Sequence, residues 1–207
     1  VIAASCTEEV MDAAAAAGCI GLTVGMESGN RDILRSVRKP GTVENFLRAG
    51  EVLNKIEQIN ARVFLMIGFP NESFSQIKDT IDVSTTMNLD WYNITILQPL
   101  PNTVIFDQML SDGLIGDISF SEMGYNSGTH GKKVNKNGAS RDPLSIDFKN
   151  AFSDKRLEEI PNKSDLDNVW AYMNYHLNFR RLFQENREAK LTQQYKYVRN
   201  IADLVAP

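Results

Sequence analysis

Apolar runs of strand length recur three times in the first half of the chain, each ending in glycine or proline followed by a polar residue. They are IGLTVGMESGN (residues 20–30), ARVFLMIGFPNES (61–73) and WYNITILQPLPNT (91–103). In the first, Ile20, Leu22, Val24 and Met26 fall on one face of a strand over 20–26, and small Gly21, Thr23 and Gly25 fall on the other. The second, RVFLMI, is nearly continuous in apolar residues, which predicts a strand over 61–67 covered on both faces. The third predicts a strand over 91–97, stopped by Pro99 and Pro101, which cannot continue a central strand.

Helical periodicity fills the intervals. TEEVMDAAAAAG (7–18) is alanine-rich, acidic at its start and closed by Gly18. Its cap is either Ser5, boxed with Glu8, or Thr7. Asn30 caps a short helix to Val37, and Lys39-Pro40-Gly41 breaks the chain. Thr42 then opens a helix whose Val43, Phe46, Leu47, Gly50, Leu53 and Ile56 form one stripe. Ser73 and Gln76 make a capping box before a helix with Phe74, Ile77 and Ile81 facing inward, and Thr103 caps a short helix ending near Gly113.

Strand, loop and helix in that order, three times over, predict an α/β fold with three adjacent parallel strands and helices on one face. Functional groups in such arrays gather at the carboxyl ends of the strands, where this chain carries Glu27, Ser28, Glu72, Gln98 and Thr103. A sheet of only three parallel strands leaves two raw edges. The expectation is therefore that further strands precede Val1, and that the fragment alone self-associates through its exposed edges.

Beyond the third unit the pattern changes. Residues 113–163 show no sustained period, and HGKKVNKNGASRD (130–142) reads as a polar, basic, solvated loop. A helical C-terminal extension follows over 164–207. Its first helix, capped by Ser164, carries Leu166, Val169, Trp170, Met173, Leu177 and Phe183, and its last carries Leu191, Tyr195, Val198, Ile201 and Val205. These aromatics read as contacts between helices rather than a stacking surface.

Composition narrows the class only a little. The 207 residues are 43% hydrophobic with a net charge of −4, which does not indicate a nucleic-acid binder. No run approaches the ~20 apolar residues of a membrane span, and the start at Val1 has no signal-peptide character, so a cytoplasmic setting is expected. The two cysteines, Cys6 and Cys19, read as free, partly buried thiols and are too few for a cluster. His130 and His176 lack metal-ligand spacing, and no residue is assigned a catalytic or metal-binding role.

The strand ends offer binding chemistry, each with a plain structural alternative. Glu27 can accept hydrogen bonds from an amine or from ribose hydroxyls and Ser28 can donate or accept, or Glu27 can simply cap the helix after Asn30 or pair with a nearby cation. Gly68, Pro70 and Glu72 form a tight turn that brings backbone close to a ligand, with Glu72 more simply read as favouring the helix dipole. Pro99 and Pro101 hold an extended backbone able to meet a base edge, or merely stiffen the strand exit.

Taken together and in order, these motifs resemble the radical S-adenosylmethionine (SAM) superfamily, in the branch often found with a cobalamin-binding domain or acting as methylthiotransferases. The residues that carry the resemblance are Ala17-Gly18, Gly25-Met26-Glu27-Ser28-Gly29, Lys39 and Thr42, Gly68-Phe69-Pro70-Asn71-Glu72, and Pro99-Leu100-Pro101-Asn102-Thr103. Asn71 and Asn102 stand where the family more usually has glycine. The resemblance implies that residues 1–112 are the C-terminal half of a partial (β/α)6 TIM-like barrel.

It also implies a SAM-contacting role for Gly25, Glu27, Ser28, Lys39, Gly68, Pro70, Glu72, Pro99 and Pro101, with Lys39 steadying Glu27 or a SAM carboxylate. The family's [4Fe-4S] cluster is held by a C-x-x-x-C-x-x-C loop after the first strand, and Cys6 and Cys19 do not match it. The implied activity is reductive cleavage of SAM to start radical chemistry on an unidentified substrate, as part of a longer iron–sulfur enzyme that in some members also carries cobalamin. Two other classes stay open. One is a non-catalytic module that holds a nucleotide-like ligand or a partner without a cluster, and the other is an unrelated α/β enzyme.

Overall fold

Side-chain caps set where most helices begin. The computed structural model describes residues 1–113, 152 and 156–179. After a 3-10 turn at Ala3–Ser5, helix α1 (Glu8–Ala16) starts at Thr7, whose hydroxyl accepts from Val10 N, so Thr7 rather than Ser5 is the cap. Asn30 caps α2 (Arg31–Ser36), and capping boxes start α3 (Val43–Leu53) from Thr42 with Asn45 and α4 (Phe74–Met87) from Ser73 with Gln76. Thr103 caps α5 (Val104–Ser111). The start of α6 (Lys163–Asn174) differs from expectation: Asn162 Oδ1 accepts from Asp165 N while Asp165 Oδ2 accepts from Asn162 N. That reciprocal pair, not Ser164, forms the cap, two residues earlier. A π-helical turn, Tyr175–Phe179, ends the described tail.

The three strands are β1 (Gly21–Glu27), β2 (Asn60–Ile67) and β3 (Trp91–Ile96), paired in the order β1-β2-β3 and parallel throughout. The α/β reading and the adjacency of the strands are borne out. On one face, Val24 and Met26, then Ala61, Val63, Leu65 and Ile67, then Tyr92 and Ile94, are buried in one core with Phe46, Val52 and Leu53 of α3 and Phe74, Ile77 and Ile81 of α4. Truncating a ring such as that of Phe46 would cost about 3–5 kcal/mol, because the close-packed interior relaxes only partly around the void.

The other face corrects the sequence reading of β2. Burial alternates along it: Arg62 is exposed, Phe64 is 47% exposed and Met66 is half-buried. The run is apolar on both sides of the strand, but only one side is covered by helices among the described residues. Aligned with these residues across the sheet are Thr23 and Gly25 on β1 and Trp91, Asn93 and Thr95 on β3. This is the open face.

The expectation of two raw edges also needs correcting. Helix α6 and the π-helical turn after it lie along the outer edge of β3, with Val169 and Met173 of the helix and Leu177 of the turn in the core. Asn178 Oδ1 accepts from Tyr92 N at 2.9 Å, its Nδ2 donates to Tyr92 O at 2.9 Å, and Trp170 Nε1 donates to Ile94 O at 2.8 Å. Side chains thus replace the ladder that a neighbouring strand would supply. The loop at 130–142, Phe183 and the stripe from Leu191 to Val205 lie outside the described residues, as does nearly all of 113–163.

Candidate functional site

Parallel strands bring three loops to one end of the sheet: residues 27–30 after β1, 68–73 after β2 and 97–103 after β3. At the end of β1 the pairing slips, because β1 advances two residues, from Gly25 to Glu27, while β2 advances one, from Phe64 to Leu65. Such a bulge re-aims a side chain. Glu27 sits there at φ 66, a left-handed conformation that glutamate rarely adopts and that costs on the order of 1 kcal/mol or more.

Lys39 completes this corner. Its Nζ donates to Glu27 Oε1 at 2.9 Å, and the two side chains are 23% and 28% exposed, so the pair is neither buried nor freely solvated. A Cβ on Gly25 would stand 3.1 Å from Lys39 Nζ and 3.4 Å from Glu27 Oε1. The missing side chain at Gly25 is what lets the pair lie across the strand. Lys39 is therefore not a solvated lysine at a chain break.

Ser28 lies beneath this corner at 0% exposure. Its Oγ is 3.1 Å from Thr80 Oγ1 on α4 and accepts from Asn30 N at 3.1 Å, while Thr80 Oγ1 lies 3.3 Å from Gln76 O. One proton order satisfies every group: Asn30 N to Ser28, Ser28 to Thr80, Thr80 to Gln76 O. Gly29 N also donates to Thr80 Oγ1 at 2.8 Å, and a Cβ at Gly29 would stand 2.7 Å from Thr80 Cα. Asn30 Nδ2 reaches Asp79 Oδ2 at 2.7 Å. Thr80 escaped the sequence reading. The available signal was a threonine inside the apolar stripe of α4, between Ile77 and Ile81.

The turn after β2 is held from inside by Glu72, which is 1% exposed. Its Oε2 accepts from Gly68 N at 2.6 Å and Phe69 N at 3.2 Å, and Oε1 is buried with no partner among the described residues. Glu72 therefore ties its own turn rather than serving the dipole of α4. Burial pushes its carboxyl up to about 7, against the two amide donors that favour the charged form. Gly68 at φ +84 and Asn71 at φ 60 supply the left-handed steps of the turn. Pro70 is half-buried at its rim.

After β3, Leu97 N still donates to Ile67 O at 2.8 Å before the chain leaves the sheet through half-buried Pro99 and Pro101. Asn102 takes φ 65, and Thr103 Oγ1 donates to Leu100 O at 2.6 Å. Asparagine tolerates this region better than other side chains do, which accounts for Asn71 and Asn102 where glycine is more usual.

The arrangement thus presents a partly exposed carboxylate–ammonium pair, two turns rich in glycine and proline, and an open sheet face with Gly25 at its edge. It can accept hydrogen bonds from hydroxyls or an amine, hold a carboxylate, and seat a flat ring. A metal cluster is another matter. Cys6 is buried with its Sγ toward Ile2 O, and Cys19 precedes β1, at the opposite end of the strand from Glu27. No group of three metal-ligating side chains occurs among the described residues.

Residues 2–83 match the Radical SAM superfamily model. An uncharacterized methyltransferase of Pyrococcus horikoshii is 27% identical over 108 residues, 52% of this chain and 23% of that protein. The bacteriochlorophyllide d C-12(1)-methyltransferase of Chlorobaculum tepidum is 28% identical over 102 residues, 49% of this chain and 22% of that protein. The chain thus spans less than a quarter of either relative. Among solved structures, the radical SAM enzyme coproporphyrinogen III oxidase (HemN) of Escherichia coli aligns with a TM-score of 0.46 at 20% identity, over 59% of this chain and 28% of that one. The similarity to the radical SAM superfamily thus lies in residues 2–83, which carry β1, β2 and most of α4.

Proposed function

We propose that the chain is the SAM-contacting part of a radical SAM iron–sulfur enzyme, of which it supplies strand ends but not the cluster ligands. The observation that carries this is the corner built by Gly25, Glu27 and Lys39, on the same end of the sheet as the 68–73 turn and the 97–103 exit. Glu27 accepts from the ribose hydroxyls or the amine of SAM, and Lys39 holds Glu27 in place and faces the SAM carboxylate. The backbone at Gly68 and Pro70 and the Pro99–Pro101 exit approach the adenosine. Ser28 and Glu72 act from behind, one fixing the first loop and the other the second turn.

A reduced [4Fe-4S] cluster held elsewhere in the enzyme would supply the one electron that cleaves bound SAM to methionine and a 5′-deoxyadenosyl radical. Cys6 and Cys19 do not fit that cluster, so its ligands belong to chain outside these residues, as would any cobalamin-binding domain. The names of the two relatives make methyl transfer the first reaction to assay, with the substrate open. The test is anaerobic reconstitution of the full-length protein, with measurement of iron content, SAM binding and 5′-deoxyadenosine formation. About four irons per chain and reductant-dependent SAM cleavage support the proposal. SAM binding without iron would favour a cluster-free binding module, and neither would overturn both.

A further inference from the structure

Four backbone donors at the start of α4 need acceptors, and the tail of the chain supplies two of them. Ser73 N bonds Gln76 Oε1 and Gln76 N bonds Ser73 Oγ within the capping box. Phe74 N donates to Glu159 O at 3.0 Å and Ser75 N donates to Leu157 O at 2.7 Å. A helix start whose donors are all taken is not an anion site. Recognition at this strand end must therefore pass through the turn at 68–72 that precedes the helix.

The same tail segment presses on that turn. Leu166 Cδ1 would lie 3.0 Å from a Cβ at Gly68, so it sits against the glycine backbone. Arg156 organises the segment: Nε donates to Glu159 Oε2 at 3.1 Å, Nη2 pairs with Asp165 Oδ2 at 2.9 Å, and the guanidinium stands 4.5 Å over the ring of Phe74. Phe152 meets the same ring edge-on, centroids 6.0 Å apart. One side chain thus joins the carbonyl-bearing loop, the cap of α6 and the first residue of α4.

We propose that residues 156–166 clamp the ligand-facing turn at 68–72, with Arg156 as the positioning residue, so that the tail tunes how tightly SAM is held. This rests on the SAM-binding reading above. The clamp has two jaws: the 157 and 159 carbonyls hold the start of α4, and Leu166 blocks outward movement of Gly68. Arg156 fixes the jaws relative to each other through Glu159 and Asp165. Anything that bound the tail would act on the adenosine side of the site without touching SAM.

The test uses the full-length, cluster-loaded protein with Arg156→Met, Arg156→Lys and Asn178→Asp. Asn178 serves as the control because it anchors the far end of the tail. Three readouts apply: the SAM dissociation constant by calorimetry, amide exchange at Phe74 and Ser75, and the melting temperature. Arg156→Met is expected to weaken SAM binding by about tenfold and to speed exchange at both amides. Arg156→Lys, which keeps charge but not the planar two-way contact, should fall between. Asn178→Asp should lower the melting temperature and leave SAM affinity unchanged.

Unchanged affinity in Arg156→Met with a lowered melting temperature overturns the proposal, as do equal losses of affinity at Arg156 and Asn178. If Arg156→Met does not fold, Leu166→Ala replaces it with the same expectations. Failure of the unsubstituted protein to bind SAM would instead overturn the functional reading, and amide exchange at Phe74 and Ser75 would still test the clamp.

Discussion

Asn178 and Tyr92 are paired as two strand residues would be, although one of them is a side chain: the amide of Asn178 accepts from Tyr92 N and donates to Tyr92 O, both at 2.9 Å. Neither atom of the Tyr92 peptide is left for another strand. Tyr92 Oη is also engaged, donating to Ser84 O at 2.6 Å and accepting from Leu89 N at 2.8 Å.

Replacing Asn178 by Leu should remove both of these bonds to Tyr92, at a cost of about 1–3 kcal/mol. Asn178→Asp keeps the acceptor for Tyr92 N but sets a buried carboxylate oxygen against Tyr92 O, so it should also lower stability. Chemical denaturation gives the two losses, and light scattering should show Asn178→Leu associating through β3. A stable, monodisperse Asn178→Leu protein would mean that α6 alone seals the edge.

The carboxyl of Glu72 gives stability a pH dependence of known sign. Its folded value of about 7 lies above the ordinary 4.5, so the folded chain holds a proton that the unfolded chain has lost. Stability from this group is full below about 4.5 and declines as pH rises through about 7, by ~3 kcal/mol in all. Glu72→Gln should flatten the profile between those limits, which denaturant titrations at pH 5 and pH 8 would detect. An equal slope in both proteins would assign the dependence to another group.

At the first strand end, Glu27→Gln should weaken SAM binding in the full-length protein by about 1–3 kcal/mol, since it removes a charged acceptor and the partner of Lys39 without changing size. Cluster content should not change. Gly25→Ala should mimic it, because the added methyl would meet Lys39 Nζ at 3.1 Å. Intact SAM affinity with lowered thermal stability would make Glu27 a purely structural residue.

The left-handed turns make a cheaper test. Asn71→Ala should destabilise by about 1 kcal/mol and Asn71→Gly by little or nothing, because φ 60 is open to glycine and strained for alanine. Thermal melts of the two variants decide it, and equal losses would show that the Asn71 side chain matters for another reason.

Features set by neighbours in sequence were legible before any coordinates. The capping pair Ser73 with Gln76 is three residues apart, Thr42 marks the start of α3, and the period-two pattern around Val24 and Met26 marks β1, whereas the box partner of Thr42, Asn45, came only from the structure. What the sequence hid depends on distant partners. The pairing of Asn178 with Tyr92 spans 86 residues, and that of Ser28 with Thr80 spans 52. The face of β2 bearing Phe64 and Met66 is as apolar as its covered face, so periodicity could not separate them. Glu72 sits two residues from the helix and four from Gly68, and only geometry shows that it ties the turn.

Helix α4 carries one more implication, through the contacts of Ser28, Gly29 and Asn30 with Thr80 and Asp79. The first loop is pinned to the second turn of α4 by the Ser28 and Asn30 side chains and the Gly29 amide, and the loop after β2 runs directly into the first turn. One rod, about 21 Å long, is therefore the common datum for two walls of the site. The spacing between those walls is a property of α4 and of its seat on the sheet, more than of the loops that meet the ligand. A larger or smaller ligand would be accommodated by sliding or tilting that single helix, and a residue such as Thr80, wholly hidden from solvent, is where such a change in bore would be made.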